Sequence, residues 1–196
     1  GGLANQLAAH LDIANPDHRA LLQRFWGAPR MAEREGLKAV DLFEAVGDGR
    51  IKALWIIATN PVDSLPQAHA VEAAIAGCPF VVVSDVCADT DTVRHAHVRL
   101  PAAAWGEKSG TVTNSERRIS RQRAFLAMPG EARPDWWALA EVGRRMGWPE
   151  AFAYASAAEV FREHAALSAY ENAGSRDFDI GALAALSPVA PELIDR

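Results

Sequence analysis

The stretch Ala53–Asp85, ALWIIATNPVDSLPQAHAVEAAIAGCPFVVVSD, decides how the chain folds. It opens on a continuous apolar run, ALWIIAT (Ala53–Thr59), which reads as a strand buried on both faces. Asn60-Pro61 ends the run. Pro66–Gly77, PQAHAVEAAIAG, reads as a helix with proline near its start and glycine at its end. FVVVSD (Phe80–Asp85) is a second buried strand.

The pattern continues on both sides. Upstream, Lys38–Lys52 carries Val40, Leu42, Phe43 and Val46 at near-helical spacing, and Gly47-Asp48-Gly49 stops that helix. Downstream, Ala88–Ala96 reads as a short helix capped near Asp89 or Thr90, and His97–Pro101 as a third, shorter strand. Strand, helix, strand, short helix, strand predicts an α/β fold with a Rossmann-like parallel sheet and flanking helices. Ligands of such sheets bind outside the carboxyl ends of the strands. Those ends are Thr59-Asn60-Pro61, Ser84-Asp85 and the segment Pro101–Arg118.

After Gly130 the character changes. Arg133–Trp148 and Ser156–Tyr170 are amphipathic helical patterns, and a further helix is expected near Pro16–Trp26. Two domains are therefore expected: residues 1–130, an α/β ligand-binding part, and residues 131–196, a helical extension.

Bulk composition narrows the function classes. The chain has 196 residues, 49% hydrophobic and 23% charged, with a net charge of -5. This is ordinary globular composition, and the acidic balance argues against nucleic acid as a partner. No apolar run approaches the roughly 20 residues that cross a bilayer, so no membrane partner is expected. The two cysteines, Cys78 and Cys87, form no CxxC pair and no disulfide framework, which points to a cytoplasmic setting. No metal-ligating constellation and no catalytic set is visible. GxGxxG and GxxxxGK[ST] are both missing.

What remains are polar groups at strand ends. The Asn60 amide can both donate to and accept from a ligand, or serve only the Asn-Pro turn. Asp85 can hold ribose hydroxyls or guanine N–H groups, or simply cap a turn. In GEKSGTVTNSERR (Gly106–Arg118), which shows no strand-like alternation, Gly106 and Gly110 allow close backbone approach. Lys108 offers a compact positive charge in the same loop. Such a loop suits a polar, anionic, multi-ring ligand.

These residues carry a resemblance. ALWIIATNPVDSLP, VVVSDVCADTDT, RLPAAAWGEKSGTVTNSERRISRQR and PGEARPDWWALAEVGRRMGW resemble consecutive motifs of the molybdopterin oxidoreductase (dimethyl sulfoxide reductase-like) family. The most specific is Trp105-x-Glu-Lys-x-Gly-Thr-x-x-Asn-x-Glu-x-Arg118. The similarity extends over nearly the whole chain, from GGLANQLAAHLD (Gly1–Asp12) to EVFREHAALS (Glu159–Ser168), and is nearest to the assimilatory nitrate reductases of bacteria. It implies a molybdopterin guanine dinucleotide, present as the bis form with molybdenum in the parent enzyme. Contacts to it are implied at Asn60, Ser84, Asp85, Lys108 and Asp135, with Glu107, Thr111, Asn114 and Arg117 shaping the loop. It also implies an iron–sulfur cluster outside this chain, and as partners the remainder of the parent enzyme and an electron-donor protein or domain. On this reading the chain is an internal fragment, inactive alone, of an enzyme reducing nitrate to nitrite. Two alternatives stand beside it: a fragment of a related enzyme such as a formate dehydrogenase, and a stand-alone Rossmann-like module binding a nucleotide or a protein. One departure from the family pattern falls at RHAHVRLP (Arg94–Pro101), where many relatives carry an aspartate.

Overall fold

A computed structural model describes residues 7–186. Residues 1–6 of the GGLANQLAAHLD stretch and the last ten of the helical extension lie outside the described residues. The elements run α1 (Pro16–Trp26), α2 (Ala39–Gly47), β1 (Ala53–Ile57), α3 (Pro61–Ser64), α4 (Ala68–Gly77), β2 (Phe80–Asp85), β3 (Val98–Pro101), β4 (Gly110–Thr113), β5 (Ile119–Gln122), α5 (Asp135–Arg145) and α6 (Ala157–Ala169). A 3-10 turn, Val93–His95, stands where a short helix is expected.

The chain divides into two compact units. One is Gly36–Lys108 with Ala124–Leu139; the other takes the residues up to Glu35, Ser109–Arg123 and those from Ala140 onward. The first holds the expected α/β sheet. Strands β1, β2 and β3 are all parallel and lie in that order. The β1–β2 register sets Ile57 opposite Ser84, and the β2–β3 register sets Ser84 opposite Leu100. One face is packed: Ile56, Val81 and Val83 join Val46 from α2, Val71, Ala74 and Ile75 from α4, and Val93 in a buried cluster. Cys78 is buried in the same cluster, whereas Cys87 is exposed. Contrary to the expectation for β1, the opposite face, with Trp55 and Val82, is only half-buried.

Three local features differ from the sequence reading. Asn60-Pro61 does more than end a strand. Pro61 opens the one-turn helix α3, whose fixed φ suits a first helical position. The RHAHVRLP departure is accommodated by His97, whose backbone N–H donates to the Val81 carbonyl at 2.9 Å. Its Nδ1 accepts the Val81 N–H at 3.0 Å, so the side chain extends the β2–β3 ladder where a backbone carbonyl would otherwise be needed. Finally, the expected loop Gly106–Arg118 is partly a strand. Gly110–Thr113 pairs antiparallel with Ile119–Gln122, Thr113 opposite Ile119. Asn114 closes the turn: its Oδ1 accepts the Arg118 N–H at 2.9 Å, and Arg117 takes a left-handed φ of 66°.

The second unit is built on capped helices. Asn15 caps α1 by accepting from the Asp17 and His18 amides, with Pro16 at the first helical position. Ser156 caps α6 by accepting from the Glu159 N–H, while Glu159 Oε2 accepts the Ala155 N–H. Leu11, Leu21, Leu22 and Leu167 form its buried centre. Half-buried on α6, His164 packs against Phe178, with ring centroids 5.7 Å apart. Burial, with a smaller contribution from the charge of His10, holds its pKa below the ordinary value. The folded protein thus resists protonating His164, and the unfolded chain takes up more protons as pH falls below about 6.5. Stability is expected to drop on that acid side. Thermal unfolding at pH 7.5 and 5.5 should show a smaller difference between the two pH values for His164→Gln than for the wild type.

Alanine 58, immediately after β1, has a left-handed φ of 55° and is exposed. Its N–H still donates to the Ser84 carbonyl at 2.9 Å, so the chain turns off the sheet right after the last ladder bond. A β-branched residue tolerates this geometry poorly. Ala58→Val should lose about 1–2 kcal/mol in denaturant unfolding, and Ala58→Gly should lose nothing.

Candidate functional site

All five sequence-singled residues, Asn60, Ser84, Asp85, Lys108 and Asp135, fall in the sheet-bearing unit. Ser84 and Asp85 are the last two residues of β2, Asn60 and Lys108 come after β1 and β3, and Asp135 opens α5. The fold brings α5 there through a backbone clasp. The Arg133 N–H donates to the Pro101 carbonyl at 3.0 Å, and the Ala103 N–H donates to the Arg133 carbonyl at 2.9 Å. This makes an isolated parallel bridge between Ala102 and Arg133 at the end of β3.

Beside that clasp is an open recess of about 80 Å³. Ser84, Pro101, Arg133, Asp135 and Trp137 are among its lining residues. Ser84 is buried, and its Oγ accepts the Trp55 indole N–H at 2.9 Å. Asp135 Oδ2 accepts from Lys108 Nζ at 3.3 Å, a partly buried ion pair. Among the described residues, Asp135 Oδ1 is buried without a hydrogen-bond partner. A buried carboxylate oxygen left in this state costs free energy, so it is a ready acceptor for an incoming N–H or O–H.

The other two residues stand apart from the recess lining. Asp85 is half-buried; its Oδ1 accepts the Cys87 N–H at 2.9 Å and its carbonyl accepts the Ala102 N–H at 3.0 Å. One carboxylate oxygen therefore makes the turn that the simpler reading expects, and the second is not used in that turn. Asn60 is held by Thr92. Its Oδ1 accepts from Thr92 Oγ1 at 2.6 Å and from the Thr92 N–H at 3.3 Å. This leaves the amide NH2 group as the donor Asn60 can offer. In the loop, Glu107 Oε2 accepts the Ala104 N–H at 2.8 Å, which fixes the segment just ahead of Lys108.

Thr92 and Arg133 escaped the sequence reading; Trp136 and Trp137 read there only as adjacent helical tryptophans of which at least one packs against the sheet or another domain. Among the described residues no group of three or more His, Cys, Asp or Glu side chains forms a metal site. No described helix is long and apolar enough to cross a membrane.

Comparison with known proteins settles the family. The molybdopterin oxidoreductase family model matches residues 4–145. The chain belongs to the molybdopterin oxidoreductases. Membership implies a molybdenum–pterin cofactor. A nitrate reductase of Klebsiella oxytoca is 60% identical over 195 residues, covering 100% of this chain and 22% of that protein. The assimilatory nitrate reductase catalytic subunit of Bacillus subtilis is 35% identical over 83% of the chain and 24% of its own length. An F420-dependent formate dehydrogenase 2 subunit alpha of Methanococcus maripaludis is 34% identical, over 84% of this chain and 24% of its own. The chain thus spans about a fifth to a quarter of the curated relatives it matches. A solved structure, acetylene hydratase from Pelobacter acetylenicus, shares the fold with a TM-score of 0.56 over 63% of this chain and 18% of that one, at 22% identity.

The buried Thr92 hydroxyl also accepts the Val62 N–H at 3.3 Å, so it joins α3 to the strand-end loop. Thr92→Val keeps the volume and removes both bonds. Unfolding free energy should fall by about 1–3 kcal/mol in denaturant titration.

Proposed function

We propose that this chain forms the part of a molybdenum-dependent nitrate reductase that seats the guanine-nucleotide end of a molybdopterin guanine dinucleotide. The observation that carries the reading is Asp135 Oδ1, a buried acceptor with no partner beside a recess at the carboxyl end of a parallel sheet. The ring N–H and exocyclic amine of guanine are donors of the kind this carboxylate lacks. The residues therefore fit the group. Asp135 would accept from the base, oriented by Lys108, which is better placed to fix that carboxylate than to meet a phosphate. Asp85 would accept from the base or from ribose hydroxyls through the oxygen its turn does not use, and Asn60 would donate through its amide.

When bound, the cofactor supplies oxygen-atom transfer at molybdenum, reducing nitrate to nitrite. An iron–sulfur centre elsewhere in the parent enzyme, and a donor protein or domain, would supply the electrons. The role of this chain is to bind and orient. Among the relatives above, nitrate reductases reach 60% identity and the formate dehydrogenase 34%, which favours nitrate over formate as the substrate of the full-length enzyme. A cytoplasmic location agrees with the assimilatory relative and with free Cys78 and Cys87.

Each charge-assisted bond of this kind contributes roughly 1.5–3 kcal/mol when water is excluded. In the full-length enzyme, Asp85→Ala and Asp135→Ala should each weaken cofactor loading about tenfold or more. Asp85→Asn should be nearly as harmful, because it loses the charge and exchanges an acceptor for a donor. Molybdenum and guanine nucleotide per protein provide the measure. Full occupancy in both alanine variants would remove these residues from the binding site.

A further inference from the structure

The recess at the sheet end, about 80 Å³ in volume, is open to the surface. A ring whose edge reached Asp135 would leave its faces at the rim. That rim carries Trp137, which is 38% exposed although it lines the recess. An indole offers a large flat apolar face, so its place at the rim of a polar recess, rather than its exposure alone, suits it to contact a planar ligand. The Arg133 guanidinium lies over the indole, 5.8 Å from the ring centroid, close enough for a cation–π contact. Arg133 is itself anchored by the bridge to Ala102 and by its Nη1, which donates to the Ala132 carbonyl at 2.7 Å. The indole is thus backed by a cation on a fixed piece of main chain, two residues along α5 from the carboxylate with the unpartnered oxygen.

We infer that Trp137 is the stacking surface for the flat ring of the ligand, while Asp135 reads that ring's donor edge. The inference rests on the reading of the recess as the seat of the guanine nucleotide. It adds a residue whose contribution is the π-face itself. An edge-reading carboxylate and a face-reading indole divide the work: the first distinguishes guanine from a base that presents an acceptor there, and the second accepts any planar base. Stacking of a base on an aromatic side chain is worth about 1–3 kcal/mol by truncation, or roughly five- to 150-fold in affinity.

The test uses the full-length enzyme, with guanosine monophosphate released by acid, per mole of protein, as the readout alongside the melting temperature. Trp137→Leu keeps apolar bulk without a π-face, and Trp137→Phe keeps a face. The expected result is a severalfold loss of bound nucleotide in Trp137→Leu, with Trp137→Phe close to wild type. If Trp137→Leu keeps its nucleotide while Asp135→Ala loses it, the stacking role is wrong and the seat stands. If neither variant loses nucleotide, both readings fall. Equal losses in Trp137→Leu and Trp137→Phe would make Trp137 a packing residue and overturn the inference.

Discussion

Ser84 and Asp85 tie the ends of β1 and β3 to the end of β2. The Ser84 carbonyl accepts the N–H of Ala58 as β1 turns away, and its hydroxyl accepts the indole N–H of Trp55. The next carbonyl, that of Asp85, accepts the N–H of Ala102 as β3 gives way to the clasp with Arg133. A parallel sheet leaves the terminal carbonyls of its strands pointing beyond the last ladder bond, and each needs a donor if it is buried. Here those donors come from the segments that must be positioned. Satisfying the backbone and placing Asn60, Asp85 and Asp135 are one event.

The sheet was legible in the sequence because its signals are local. ALWII and FVVV are apolar runs too dense to sit in a loop, and the helix between them ends on Gly77. The hairpin β4–β5 was hidden for a physical reason. Its residues are Gly, Thr, Val, Ile, Ser, Arg and Gln, with Val112 opposite Ser120 and Ile119 opposite Thr113, so no apolar stripe repeats along it. Such a hairpin is specified by β-branched residues and its Asn114 turn, and these leave a fainter pattern than burial does.

Site residues divide along the same line. Asn60, Ser84 and Asp85 follow apolar runs and could be found by looking at strand ends. That Asp135 stands beside Ser84 depends on two backbone bonds between Arg133 and the Pro101–Ala103 segment, distant in sequence and without any side-chain signature. Family resemblance named Asp135; only the fold shows that its carboxylate is braced by Lys108 and half unsatisfied. The role of Thr92 was equally invisible, since a threonine in ADTDTV reads as any turn residue until its hydroxyl is seen on Asn60.

The discontinuity of the sheet-bearing unit bears on the order in which a growing chain can assemble. By the time Lys108 has been synthesised, all three parallel strands exist and their apolar face can close. The recess cannot, because Arg133 and Asp135 arrive only after Ser109–Arg123, a stretch that packs with the other unit. The Pro101 carbonyl therefore stays bonded to water through the synthesis of a hairpin that belongs elsewhere. Closing that intervening loop is entropically cheap for its length, and the return of Arg133 supplies the missing donor. Nascent sheet and finished pocket are thus separated in time by the chain's own itinerary, and the nucleotide seat is among the last features of the unit to form.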